Sequence, residues 1–261
     1  MNRYSTARFF KKSVAAAAVS LSLVSCTDPG SGSDSTSSSA ELDSPQITFR
    51  AFEDAEPGLP FEGEIGFVTG TEDDTSINDR IYDLIFDDYQ AVHESCSNIA
   101  VGDTVGNYSI NREASTALAN QTFASVILQV EASCAGGRIS TSWISFATAI
   151  DPTVEIFFTD LLDASQSKAH DIIALIILGI DNTPNCVGEF TDSLQQRLSD
   201  DDFTAWNSVF EFAVTTDGVM LGFNQGSMAA TACGAGSAVI PWATLEGRLS
   251  EFGEQLRGSI E

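Results

Sequence analysis

The sequence predicts an α+β fold, an antiparallel β-sheet with helices packed on one face and a helix at the C-terminus. Three observations carry this. Short blocks such as "TFASVILQVEAS" from Thr122 and "ISTSWISFATAI" from Ile139 are β-branched or alternating and bounded by glycine turns, which marks strands joined as hairpins. Between them and the N-terminal strand, "TSINDRIYDLIFDDYQAVHESC" places Ile77, Ile81, Leu84, Ile85, Tyr89 and Val92 on one stripe at helical spacing. At the end, Leu245, Leu249, Phe252 and Leu256 recur at steps of four and three, as a closing helix requires.

In chain order, "SPQITFRAF" from Ser44 reads as an entry strand, and the long helix follows with Ser76 as its N-cap. The sheet proper begins with "NYSINRE" from Asn107 and continues through the two blocks above, joined at the glycine pair of "CAGGRI". "DPT" at Asp151 turns the chain into a short strand, "VEIFF", after which "TDLLDASQSKAHDIIALIILG" predicts a second helix and "TDSLQQRLS" a short third. "SDDDF" from Ser199 resembles a capping box with Asp202 in place of the usual Glu. "NSVFEFAVTTDGVMLGFN" carries a hairpin signal, Asp217-Gly218, between two apolar strands. "SAVIPW" carries Pro241, a favourable first residue for the closing helix.

The first 25 residues point to an address. Arg3, Arg8, Lys11 and Lys12 precede an apolar run, Val14 to Val24, too short to span a bilayer, which reads as the core of a signal peptide. "LVSC", Leu23 to Cys26, resembles the bacterial lipobox. That resemblance implies cleavage before Cys26, lipidation of its thiol, and a membrane partner held through that lipid. In lipoproteins of this kind an Asp after the lipidated Cys favours the inner membrane; Thr27 stands there instead, so the expected location is the periplasmic face of the outer membrane of the cell envelope. Residues 26–45 are Ser, Gly, Asp and Thr with little to bury, a flexible tether with ends about 25 Å apart. The remaining chain divides into an N-terminal half, 46–150, and a C-terminal half, 151–261.

Charge narrows the partners. The formal charge is −25, and loss of the four signal-peptide cations takes it to −29, leaving Lys168 as the last lysine. A chain so acidic does not bind nucleic acid and does not lie flat on an anionic leaflet. Two readings of the acidity stand side by side: attraction for a cationic partner, and solubility in a salty habitat.

Beyond Cys26 there are four cysteines, Cys96, Cys134, Cys186 and Cys233. An even number in an exported chain reads as two disulfides, and the absence of close CxxC spacing argues against zinc. Three pairings are open; nearest-neighbour pairing, Cys96 with Cys134 and Cys186 with Cys233, is preferred.

The block "FEFAVTTDGVMLGFNQGSMAATACGAGSAVIPWATL", Phe210 to Leu245, resembles the end of the RsiV-type extracytoplasmic domain family, the domain of unknown function DUF3298, with its upstream partner domain DUF4163. Upstream, "SIND" at Ser76, "AGGRI" at the hairpin turn and "DPTVEIFFTDLL" fall in the same order as in that family. The resemblance implies an α+β fold and a ligand-binding domain, its ligand a basic protein such as lysozyme or a cell-wall component. Two departures are visible: "GSMAATACGAG" replaces an aromatic-rich stretch, and Arg138 stands where the family often has His.

Nothing in the sequence specifies a reaction. His93 falls late in the first helix, where an imidazolium suits the C-terminal dipole. His170 is followed by Asp171, but adjacent helical residues do not face each other, so its imidazole is expected at the solvent-facing surface. There is no GxSxG, HExxH, SxxK or phosphate-cradling glycine loop. "EDD" from Glu72 and "DDD" from Asp200 lack the spacing that wraps calcium and are explained by helix capping, so no metal and no cofactor is expected. Trp143, Trp206 and Trp242 occupy element positions and read as core. The expected function is therefore a lipid-anchored, non-enzymatic envelope protein with an RsiV-like ligand-binding domain. The alternative is an envelope hydrolase or deacetylase acting on cell-wall glycan through carboxylates.

Overall fold

The computed structural model describes residues 46–51, 64–70, 74–99, 104–150, 153–181, 186–198, 203–227 and 230–260. The signal peptide, the tether with Cys26 and residues 199–202 of the "SDDDF" capping box lie outside them.

The long strand β4 (Phe123–Cys134) explains the architecture. Side chains alternate across a strand, so a run that is apolar at nearly every position must be covered on both faces. Ala124, Val126, Leu128 and Val130 point to one core and Phe123 and Ile127 to others on the opposite side. β4 lies inside a sheet of order β3-β4-β5-β6, with β3 at Val105–Ala119, β5 at Ser140–Ile150 and β6 at Thr153–Glu155. The β4–β5 hairpin turns at Gly136, whose φ of 73° suits glycine.

On the first face sits helix α1 (Asp74–Ile99), with Ile77, Ile81 and Ile85 buried as the stripe predicted. A two-stranded ribbon, β1 (Gln46–Ala51) with β2 (Glu64–Thr69), adds Ile65 and Val68 to the same core. The helix begins before Ser76, which is therefore not its cap. Instead Asp74 accepts a hydrogen bond from the Gly70 N–H at 2.9 Å.

On the opposite face lies a third sheet, of order β7-β10-β9-β8: β7 (Ile180–Asp181), β8 (Glu211–Val214), β9 (Gly218–Phe223) and β10 (Gly236–Pro241). All pairings are antiparallel. The expected α+β class of antiparallel strands, packed helices and a C-terminal helix is what the described residues form, with their strands divided among three sheets, because strand alternation identifies strands but not which neighbours they choose. Helices α2 (Ala169–Gly179) and α3 (Val187–Arg197) pack on this third sheet through Ile172, Ile176, Phe190 and Leu194.

The two larger sheets are joined by polar contacts as well as apolar ones. β8 is an edge strand, and two N–H groups on its outer side donate to serines of the middle sheet: Val214 to Ser125 Oγ at 2.9 Å and Phe212 to Ser145 Oγ at 3.1 Å. The Ser145 hydroxyl in turn donates to Glu211 at 2.7 Å. Each buried backbone donor is thereby satisfied, which avoids a penalty of about 1–3 kcal/mol per orphaned group. A Cβ on Gly222 would lie 2.5 Å from Trp143 Cγ, so β9 passes directly over that indole.

Two helix expectations are corrected. The second helix was expected from Thr159 but begins only at Ala169. Residues Phe158–Leu161 form a 3-10 turn, and Asp163 accepts hydrogen bonds from both the N–H and the hydroxyl of Ser165, while the Ser167 hydroxyl donates to the Arg248 carbonyl. Asp and Ser side chains here bind backbone in competition with a helix. The closing helix is broken into α4 (Trp242–Leu245), led by Pro241, and α5 (Glu251–Gly258). Gly247, at φ 72°, turns the chain out of the first, and the Ser250 hydroxyl caps the second by accepting from the Gly253 N–H. Leu245, Leu249 and Leu256 are buried, while Phe252 is left at the surface.

Candidate functional site

The outer face of α1 carries a row of carboxylates. Asp79, Asp83 and Asp87 are exposed at every fourth position, with Glu94 further along. Like charges at this spacing cost a helix about 0.2–0.5 kcal/mol per pair, so the ladder persists against local helix stability and is carried by the buried isoleucine stripe. Beside it Tyr82 and Phe86, one turn apart and half-buried, stack with ring centroids 6.4 Å apart. Acidic groups next to π-faces suit the side chains of Lys and Arg.

On the inner side of the same helix is a pair that sequence reasoning missed. Asp88 accepts a hydrogen bond from the Tyr108 hydroxyl of β3 at 2.9 Å, and that hydroxyl also lies 3.3 Å from the Ile85 carbonyl. Tyr89 meets Tyr108 edge-on at 5.4 Å. Burial raises the Asp88 carboxyl above the ordinary carboxylate range, only partly opposed by the Tyr108 hydrogen bond. Burial and the neighbouring carboxylate push the Tyr108 hydroxyl up as well, so it stays protonated and donating. The available signal was position: Asp88 lies three residues after Ile85 and continues the inward stripe, where a carboxylate needs a partner.

An acid whose folded value is raised stabilises the fold fully below its unfolded value, near pH 4, and loses that contribution as pH rises through the folded value. Asp88→Asn keeps an acceptor for Tyr108 and removes the charge. The variant is expected to melt at a higher temperature than the parent at pH 7, the gap closing toward pH 3. Thermal unfolding at the two pH values checks this, and a variant no more stable at pH 7 would show that Tyr108 needs the charge.

The cysteines form the two nearest-neighbour bridges, Cys96–Cys134 with Cα atoms 5.2 Å apart and Cys186–Cys233 with Cα atoms 5.9 Å apart. The first joins the last turns of α1 to the end of β4, and the second joins the start of α3 to a 3-10 turn at Thr231–Cys233. Cys26 lies outside the described residues.

His93 is exposed on α1, its ring 6.4 Å from that of Tyr89. His170 is exposed too, but it is not turned away from its neighbour: its Nε2 lies 3.1 Å from Asp171 Oδ1 in the first turn of α2. Trp143, Trp206 and Trp242 are all buried. Trp242 donates to the Thr215 carbonyl, whereas the Trp143 indole N–H has no hydrogen-bond partner among the described residues. Of the "EDD" run only Asp74 is described, and "DDD" at Asp200 is outside. Among the described residues no group of three His, Cys, Asp or Glu side chains is placed to hold a metal ion, and no helix is long and apolar enough to cross a membrane.

No family model matches the chain, and no curated protein is similar to it. Among the solved structures similar to this chain are two that are each described as a DUF3298 family protein. One, from Pseudomonas aeruginosa, is 13% identical with a TM-score of 0.41, covering 79% of this chain and 93% of its own. The other, from Bacteroides fragilis, is 12% identical with a TM-score of 0.41, covering 84% of this chain and 96% of its own.

Proposed function

We propose that this protein is a lipid-anchored envelope protein whose acidic domain binds a basic protein, a lysozyme being the concrete candidate and a cell-wall component the other ligand class. The observation that carries the reading is charge: a formal −25 on the whole chain, with exposed Asp79, Asp83 and Asp87 aligned on one helix face. Such a field accelerates encounter with a cationic partner and weakens as salt screens it. The lipobox-like "LVSC" supports attachment through Cys26, and the two cysteine bridges suit an oxidising compartment.

The test is binding of the purified protein to a basic lysozyme at low and physiological salt, with a basic protein unrelated to lysozyme as control. Lysozyme is expected to bind at both, and the Asp79→Asn/Asp83→Asn/Asp87→Asn variant to associate more slowly at low salt. Equal binding of the control, vanishing with modest salt, would reduce the interaction to unspecific attraction. Incorporation of labelled fatty acid in cells, lost on Cys26→Ser, tests the anchor separately.

A further inference from the structure

The two bridges are unequal in exposure and in what they hold. Cys96 is buried, so the sulfur pair it forms with Cys134 is reached from one side at most, whereas Cys186 and Cys233 are both partly exposed. A chain of hydrogen bonds leads from the second bridge to the middle sheet. Cys233 closes the 3-10 turn that begins at Thr231. The Thr231 carbonyl accepts from Gln225 Nε2 at 2.7 Å, and the other end of that side-chain amide, Gln225 Oε1, accepts the Thr141 N–H of β5 at 2.7 Å. The Gln225 N–H donates back to the Thr141 carbonyl at 3.1 Å, and next to it Asn224 Oδ1 accepts the Trp143 N–H at 2.6 Å. On the far side of the bridge Glu189 of α3, three residues after Cys186, accepts the Ala230 N–H at 2.9 Å.

Asn224 and Gln225 therefore occupy the outer edge of β5 beyond the three pairs that β6 makes with it, Thr148 to Glu155 through Ile150 to Thr153. Asn224 follows directly on β9, while the return of the chain to β10 is fixed through Cys233.

We propose that Cys186–Cys233 is a redox-controlled latch that holds this segment over the β5 edge, and that it opens without loss of the remaining fold. A dithiol reductant supplies two electrons and two protons: its thiolate attacks one sulfur, the S–S bond breaks, Cys186 and Cys233 become thiols, and the reductant leaves as its own cyclic disulfide. With Cys233 released, the Thr231 carbonyl no longer pins the Gln225 amide, and the Thr141 and Trp143 N–H groups lose their caps. Cys96–Cys134, in which Cys96 is buried and Cys134 alone is partly exposed, is reduced more slowly under the same treatment, because exchange needs access to a sulfur.

The experiment is timed reduction of the native protein with dithiothreitol, quenched in acid and followed by alkylation and peptide mass spectrometry, with amide hydrogen exchange on the product. Cys186 and Cys233 are expected to be labelled severalfold faster than Cys96 and Cys134. In the partly reduced protein the Thr141 and Trp143 amides are expected to exchange severalfold faster, while amides at the centre of β4 keep their protection. The Cys186→Ser/Cys233→Ser variant should reproduce that exchange pattern without reductant; if it does not fold, the partly reduced parent protein supplies the reading alone. Reduction of Cys96–Cys134 first or at the same rate, unchanged exchange at Thr141 and Trp143, or loss of protection throughout β4 would each overturn the latch.

Discussion

Trp206→Ala is expected to lower the free energy of unfolding by about 3–5 kcal/mol, the range for removing a large buried aromatic. Trp206 is fully buried and meets Phe210 edge-on at 6.5 Å; Phe210 in turn meets Phe158 at 5.4 Å and Phe223 at 6.0 Å. The indole therefore sits against a connected set of rings drawn from the 3-10 turn at Phe158, the segment before β8, and β9. Rings wedged edge to face cannot collapse into the space it leaves without giving up their own geometry. A urea titration is the measurement: the midpoint should fall with the slope unchanged. Trp206→Phe should lose distinctly less. An alanine variant costing under about 1 kcal/mol would place the site among readily repacked positions and refute the account.

The second large effect is expected at the α1 end of the molecule. Replacing Cys96 and Cys134 together by serine should cost about 2–4 kcal/mol, since the bridge spans a sequence separation of 38 residues and restricts the unfolded chain accordingly. Cys96 is itself buried, so the substitution also places a hydroxyl among apolar neighbours. The loss should be local before it is global. The last turns of α1, which end at exposed Ile99, are expected to exchange their amides faster, while Ile77, Ile81 and Ile85 keep the first turns docked. A variant melting at the parent temperature, with α1 still protected to its end, would show that packing alone holds the helix.

Much of the fold was legible from local pattern. The stripe on α1, the hairpin signals at Gly136 and at Asp217-Gly218, and the apolar block of β4 each depend on residues within a few positions of one another. The division into three sheets did not show, because it depends on β8 pairing with β9 while its free edge meets Ser125 and Ser145, residues far away in sequence. Those serines are the acceptors that an edge strand needs. The false helix from Thr159 and the unbroken closing helix share a different cause. Apolar spacing continues past Asp163, Ser165 and Gly247, whose side-chain hydrogen bonds and backbone freedom decide where a helix stops. Of the candidate site, Asp79, Asp83 and Asp87 could be read as an exposed row, but the Asp88–Tyr108 pair needed the register of α1 on β3. That register is tertiary information.

The way β8 is finished has a consequence for a protein crowded among copies of itself. A bare sheet margin invites another chain to add a strand, the first step toward swapped dimers and fibrils. Here the donors of Phe212 and Val214 are already spent on hydroxyls of the same molecule, and that margin is closed against polymerisation without a proline or a lysine to guard it.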